Sequence, residues 1–132
     1  MTETAPSTAW PISGQLLDAL SRRDFDAFQR CIGQEARLRA LVPPGPFELN
    51  GPQAIADKFR AWFGGSEDFE MVEASASEVN TLQYLRWRIR LTSPDTGLGR
   101  TAEQHLYTTG TDAIETLDLL CSGFQADNAG AR

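Results

Sequence analysis

Histidine and cysteine are scarce in this chain of 132 residues, which has one histidine and two cysteines. Cys31 and Cys121 are far apart, so they lack the close spacing of a metal-binding or redox motif. A metal site would need aspartate and glutamate ligands, and the sequence offers no cluster of them. We therefore expect no metal and no cofactor. Both cysteines are expected to be small buried residues, with a disulfide between them as the alternative.

Basic residues are outnumbered, and long hydrophobic runs are lacking. The chain has 12 Lys and Arg against 18 Asp and Glu, a net charge of −6. This disfavours nucleic acid as a partner, because phosphate contacts need a basic surface. No hydrophobic run approaches the ~20 residues that span a bilayer, and the N-terminus lacks the regions of a signal peptide. The sequence therefore predicts a cytoplasmic protein with neither nucleic acid nor membrane as a partner.

The length and the spacing of apolar residues predict one domain with short flexible ends. Residues 1–12 begin with a small, polar stretch and predict a flexible segment. Residues 13–124 form the predicted domain, and residues 125–132 a flexible tail. No internal repeat or linker divides the domain.

Three helices are predicted in the first half of the chain. Ser13 is the expected N-cap of the first helix and Asp24 of the second, which would bury Phe25, Phe28 and Ile32. Pro52 stands at the first position of the third helix, where its missing N–H costs nothing. A short hairpin is expected between the second and third helices, with strands at 38–41 and 47–49.

Long antiparallel strands are predicted in the second half. The clearest spans 82–91, where apolar and polar residues alternate: Leu85, Trp87, Ile89 and Leu91 point one way, and Tyr84, Arg86, Arg88 and Arg90 the other. Further strands are expected at 69–79, 100–109 and 113–123. The row of arginines predicts either an anionic ligand or partner surface, or neutralisation by acids on neighbouring strands, with Glu103, Glu115 and Asp118 as the candidates.

Four segments resemble the NTF2-like superfamily, in its SnoaL-like and ketosteroid-isomerase-like branch. They are RRDFDAF at 22–28, LNGPQAIADKF at 49–59, EQHLY at 103–107 and LDLLCSGF at 117–124. The resemblance implies an α+β, cone-shaped fold, with three N-terminal helices packed on a strongly curved, mostly antiparallel sheet. It also implies an apolar pocket inside the cone and a homodimer formed through the outer sheet face.

The acid–base groups of the superfamily's isomerases are missing at the positions that match them. Ala40 stands where those enzymes have an aspartate base, Leu16 where they have a tyrosine, and Gln104 where they have a second acid. An alanine cannot carry a proton, and a leucine cannot stabilise an enolate. Steroid isomerisation by that mechanism is therefore not expected.

One polar side chain and several apolar ones are expected to line the pocket. The Gln104 amide can donate and accept hydrogen bonds, so it could orient a ligand carbonyl or hydroxyl; alternatively it bridges backbone groups in the sheet. Cys121 has no evident partner that would make it a nucleophile. The predicted pocket residues are Gln104, Trp62, Trp87, Ala40, Leu119 and Cys121.

His105, the only histidine, is the first candidate for acid–base chemistry near neutral pH. Strand alternation turns it away from Gln104, onto a face shared with Glu103 and Tyr107. A surface histidine held by a carboxylate is the alternative. Glu35 and Tyr107 are the other catalytic candidates.

Two functions stay open from the sequence. The first is a binding or dimerisation module that holds a small hydrophobic or aromatic molecule. The second is a proton-transfer enzyme, of the isomerase, cyclase or dehydratase type, acting on a small carbonyl or polyketide-like substrate. The enzyme would need an ionisable side chain within reach of its ligand, whereas the binding module would not.

Overall fold

The computed structural model describes residues 11–92 and 97–126. The described residues form three helices: α1 (Ile12–Ser21), α2 (Phe25–Arg30) and α3 (Pro52–Phe63). Two predicted helix starts are confirmed, since the Asp24 carboxylate caps α2 by accepting from the Ala27 N–H at 3.1 Å, and α3 begins with Pro52.

The predicted cap at Ser13 is wrong, because α1 already begins one residue earlier. Pro11 is the N-cap, in an extended conformation, and Ser13 is buried within the first turn. Most of the predicted segment 1–12 lies outside the described residues, but Ile12 belongs to α1 and to the core. The burial of Ile12 in the core accounts for a helix that already includes this residue.

Seven strands of the described chain form one sheet, and all but one pair of neighbouring strands are antiparallel. The strands are β1 (Ile32–Val42), β2 (Gly45–Asn50), β3 (Glu70–Val79), β4 (Leu82–Thr92), β5 (Gly99–Thr109), β6 (Ile114–Cys121) and β7 (Gln125–Ala126). Their order is β2-β1-β6-β5-β4-β3, with β7 on β5, and β1 and β6 run parallel. The predicted α+β class, with three helices and a mostly antiparallel sheet, is confirmed.

Strand β1 is much longer than the predicted strand at 38–41. It begins at Ile32, which was expected on the buried stripe of the second helix, and Ile32 pairs instead with Ile114 of β6. The Ile114 N–H donates to the Cys31 carbonyl at 2.8 Å. This pairing joins residues about eighty positions apart, so no local sequence pattern predicts it.

One hydrophobic core joins the helices to the sheet. The Phe59 ring of α3 lies 4.7 Å from the Phe28 ring of α2 and 6.5 Å from the Trp87 ring of β4, between ring centres. Burial alternates along β4 as predicted, with Leu85, Trp87 and Ile89 fully buried.

The C-terminal end differs from the prediction of a flexible tail from residue 125. Gln125–Ala126 form β7, which pairs with Arg100 and Thr101 of β5; residues 127–132 lie outside the described part. Within the described residues, the helices are too short or too polar to cross a membrane.

Candidate functional site

The predicted pocket residues on the sheet lie in a packed interior. Trp87 is fully buried and Gln104 is 1% exposed. The Trp87 Nε1–H donates to the Gln104 Oε1 at 2.8 Å, and the Gln104 Nε2 donates to the Cys121 Sγ at 3.2 Å. The Gln104 amide is therefore engaged inside the protein, which leaves it poorly placed to orient a ligand. Ala40 and Leu119 pair across β1 and β6 and are also buried.

An open cleft lies beside this interior, where the β1–β2 turn, α3 and the chain after β6 meet. Its volume is about 590 Å³. Two predicted pocket residues, Trp62 and Cys121, line it. The other lining residues are Val42, Pro43, Pro44, Gly45, Pro46, Phe47, Lys58, Arg100, Ser122, Gly123, Phe124 and Gln125.

The cleft walls are held by close packing. Gly123 has φ +77°, and a Cβ at this position would lie 2.7 Å from Cγ of Pro43. Only a glycine therefore fits here without moving the β1–β2 turn. The Phe124 ring packs edge-on against Phe63 of the core, 6.0 Å between ring centres.

Two cations line the cleft, and no carboxylate does among its described lining residues. Lys58 Nζ lies 4.8 Å from the centre of the Phe47 ring and 5.9 Å from that of the Trp62 ring. The Nε of Arg100 is buried, and no described residue is its hydrogen-bond partner. Within residues 11–92 and 97–126, neither cation lies within 4.0 Å of a carboxylate oxygen. The cleft is thus a positive, aromatic site on a protein of net charge −6.

On the other face of the sheet, His105 lies in a chain of hydrogen bonds. His105 Nε2 is 2.8 Å from Oε2 of Glu103, and His105 Nδ1 is 2.7 Å from the Tyr84 hydroxyl. Hydrogen bonds from Arg88 and then His105 lower the pKa of Glu103 to about 2. Glu103 is therefore ionised near neutral pH and can only accept, so Nε2 donates to it. In a neutral imidazole, Nδ1 then accepts from the Tyr84 hydroxyl.

The arginine row of β4 is neutralised across strands, as one of its two interpretations predicted. Arg88 lies 2.8 Å from Glu103, and Arg86 lies 3.3 Å from Glu73. Of the three acids expected to do this, only Glu103 does so within the described residues. Asp118 pairs instead with Arg39, at 2.8 Å, because β6 is separated from β4 by β5.

The remaining catalytic candidates lie apart from the cleft. Glu35 is exposed on β1. Tyr107 is partly exposed on the outer face of β5, where its ring stacks on Tyr84 with 4.9 Å between ring centres. In the described part of the chain, no three His, Cys, Asp or Glu residues come close enough together to hold a metal ion.

Sequence reasoning missed Lys58 and Arg100. Lys58 stands four residues before Trp62 on α3, so their side chains share a helix face, and this spacing was an available signal. No such signal was available for Arg100, because it lies 42 positions after Lys58 and reaches the cleft only through tertiary packing. Trp62 and Cys121 are the predicted residues that the structure brings together there.

Comparisons with known proteins agree with this architecture. A structure of ketosteroid-isomerase-like fold from Catenulispora acidiphila, solved in complex with trimethylamine, superposes with a TM-score of 0.69 at 9% identity, covering 85% of each chain. A Shewanella putrefaciens protein assigned as a SnoaL-like polyketide cyclase gives a TM-score of 0.65 at 10% identity, covering 92% of this chain and 86% of that one.

An epoxide hydrolase of the LEH-like kind from M. tuberculosis gives a TM-score of 0.61 at 14% identity, covering 84% of this chain and 80% of that one. At these identities, the likeness shows the fold alone. No curated protein matches the chain. The SnoaL-like domain family matches residues 14–116. The chain therefore belongs to the SnoaL-like family, within the NTF2-like superfamily.

Proposed function

We propose that this SnoaL-like protein binds a small, largely apolar or aromatic molecule in the cleft beside Trp62. The observation that carries the proposal is the cleft itself, about 590 Å³ in volume with Phe47, Trp62 and Phe124 in its walls. Ligand pockets commonly measure about 300–1,000 Å³ and combine apolar walls with a few polar groups. The cone shape implied by the family resemblance, with an apolar pocket inside it, is in line with this proposal.

Proton transfer is the alternative, and the hydrogen-bonded chain of Tyr84, His105 and Glu103 favours it. A hydroxyl that donates to a histidine held by a carboxylate is a plausible acid–base unit. Strand alternation, however, places His105 on the face of β5 opposite Gln104, and these three residues do not line the cleft. Binding without proton transfer therefore fits the positions of the described groups better.

A homodimer through the outer sheet face also belongs to the proposal. Leu41 and Leu120 pair across β1 and β6, and they are 53% and 46% exposed. Apolar residues that neighbour one another on a surface often mark an interface. Light scattering is expected to find a dimer, and Leu41→Glu with Leu120→Glu a monomer. A wild-type monomer at micromolar concentration would contradict this part.

Residence in the cytoplasm stays a prediction from the sequence.

The binding proposal can be tested with N-phenyl-1-naphthylamine, a neutral aromatic dye that brightens in apolar surroundings. The wild-type protein is expected to bind it. Trp62→Ala should weaken binding at least about fivefold, since an aromatic contact contributes about 0.5–1.5 kcal/mol beyond its buried area.

Tyr107→Ala is the matched control, because it removes a partly exposed aromatic ring from the outer sheet face. It should leave dye binding unchanged. Loss of binding in Tyr107→Ala but not in Trp62→Ala would move the site to the outer face. No binding to the wild-type protein would contradict the proposal.

A further inference from the structure

Arginines in this protein are usually paired with carboxylates. Ion pairs within 4.0 Å occupy Arg22, Arg37, Arg39, Arg60, Arg86, Arg88 and Arg90. Such pairing is expected in a chain with 18 acidic and 12 basic residues. Of the other described arginines, Arg23 donates to the Phe63 carbonyl, and Arg30 is exposed outside the cleft. Lys58 and Arg100 differ from both because they line one cleft together without a described carboxylate partner.

Arg100 is the more telling of the two cations. Its Nε is buried and has no hydrogen-bond partner among the described residues, although buried polar atoms are almost always satisfied in folded proteins. The backbone of Arg100 is fixed by pairing with Ala126 of β7. The guanidinium is thus attached to an ordered strand, with a donor that the described protein does not use.

Lys58 supplies a second positive charge from another wall. Its ammonium group lies over the Phe47 and Trp62 rings. The attraction between a cation and aromatic ring faces holds the ammonium at the cleft. The ammonium still has donors free, because ring faces take up charge but accept few hydrogen bonds. A ligand oxyanion could use them.

We propose that the ligand of this cleft is an organic carboxylate with an apolar or aromatic body, its anionic group held by Arg100 and Lys58. This inference rests on the proposed binding function and adds the ligand's charge and class. The planar guanidinium matches the two oxygens of a carboxylate. The aromatic and proline-rich walls take the apolar body. A neutral ligand would leave both cations unpaired.

A pair of dyes tests the anion directly. 8-Anilino-1-naphthalenesulfonate has the ring system of N-phenyl-1-naphthylamine with one added sulfonate. Arg100→Gln and Lys58→Gln should each weaken binding of the sulfonate about tenfold or more, since hydrogen bonds to charged groups are the strong ones. Both should weaken binding of the neutral dye much less, because that dye has no anionic group to lose a partner. Thermal melting checks that each variant is folded.

Arg30→Gln is the matched control. Arg30 is exposed at the end of α2, outside the cleft, and its replacement changes the net charge by the same amount. It should alter neither affinity. An equal loss of both dyes in Arg100→Gln and Lys58→Gln, or no loss of either, would overturn the anion proposal while leaving the binding function standing. Failure of both dyes to bind the wild-type protein would overturn both proposals.

Competition then identifies the anion. 2-Naphthoate should displace the bound sulfonate dye at a concentration at least about tenfold lower than 2-naphthamide, which has the same rings without the charge. Equal displacement by the acid and the amide would contradict the proposal that the ligand carries a negative charge. Stronger displacement by 2-naphthyl phosphate than by 2-naphthoate would overturn the carboxylate assignment in favour of a phosphate ester.

Discussion

The packed interior around Gln104 and the cleft around Arg100 both place polar groups among aromatic side chains, yet they treat those groups differently. In the interior, the Gln104 amide accepts from Trp87 and donates to Cys121. In the cleft, the buried Nε of Arg100 has no hydrogen-bond partner within the part of the chain that the structure describes. A buried polar group with hydrogen-bond partners has a structural role, whereas one without a partner indicates a place where a ligand could bind.

This difference bears on the expectation from the sequence. The sequence predicts Gln104 as the polar contact for a ligand, because its amide can both donate and accept hydrogen bonds. The structure uses it to satisfy a buried tryptophan. The polar contacts that we propose for the ligand come from Lys58 and Arg100, at the rim of the same core.

The largest expected effect is a loss of stability that differs between the variants of Trp87 and Trp62. Trp87→Ala should lower the free energy of unfolding by about 3–5 kcal/mol, because it empties a fully buried site. Trp62→Ala should lower it by less than about 2 kcal/mol, since Trp62 is only partly buried at the cleft. Urea unfolding measures both. Similar losses for the two variants would mean that Trp62 is a core residue and would weaken the comparison.

Removing the two polar groups sharpens the same contrast. Gln104→Met should destabilise by about 1–3 kcal/mol, because the Trp87 N–H would then be buried without an acceptor. Arg100→Met should change stability by less than about 0.5 kcal/mol, because no carboxylate pairs with Arg100 in the described part of the chain. A larger loss for Arg100→Met would show that its guanidinium already has a structural partner.

Two glycines in the left-handed region test the cleft wall. Gly97→Ala and Gly123→Ala should share a loss of about 1–2 kcal/mol, because their φ angles are +72° and +77°. A methyl group at Gly97 would meet no atom of the described residues within 4 Å, but one at Gly123 would meet Pro43. Gly123→Ala should therefore lose more stability and also weaken dye binding in the cleft. Equal effects of the two variants on dye binding would contradict the described wall.

The smallest expected effect is a pH dependence from the outer sheet face. The folded-state pKa of Glu103 is about 2, below its ordinary 4.5, so its contribution is present above pH 4.5 and disappears as the pH falls through 2. The contribution should stay below about 1 kcal/mol, because the pair is partly exposed. Unfolding of Glu103→Gln should differ from wild type more at pH 6 than at pH 2.

Glu35→Gln is the control for this measurement. Glu35 is exposed and makes no ion pair with any residue in the described segments. Its replacement should change stability less than that of Glu103 at pH 6. A gap between wild type and Glu103→Gln that widens on acidification would contradict the direction of the Glu103 pKa.

Local patterns were enough to predict much of the fold. The alternation of Leu85, Trp87 and Ile89 predicted β4 and its buried face, and Asp24 and Pro52 predicted two helix starts. The length of β1 could not be predicted, because the strand is extended by pairing with β6 far along the chain. The cleft could not be predicted either, because Lys58 and Arg100 lie on a helix and a strand that only tertiary packing brings together.

The parallel pairing of β1 with β6 also affects how the chain folds. β1 and β2 can form a hairpin early, but they join the rest of the sheet only through residues 114–121. Pairing over such sequence distances slows folding, because loop closure must come before the contacts that stabilise it. During synthesis, the free edge of β1 therefore stays unpaired with β6 until residues 114–121 have been made.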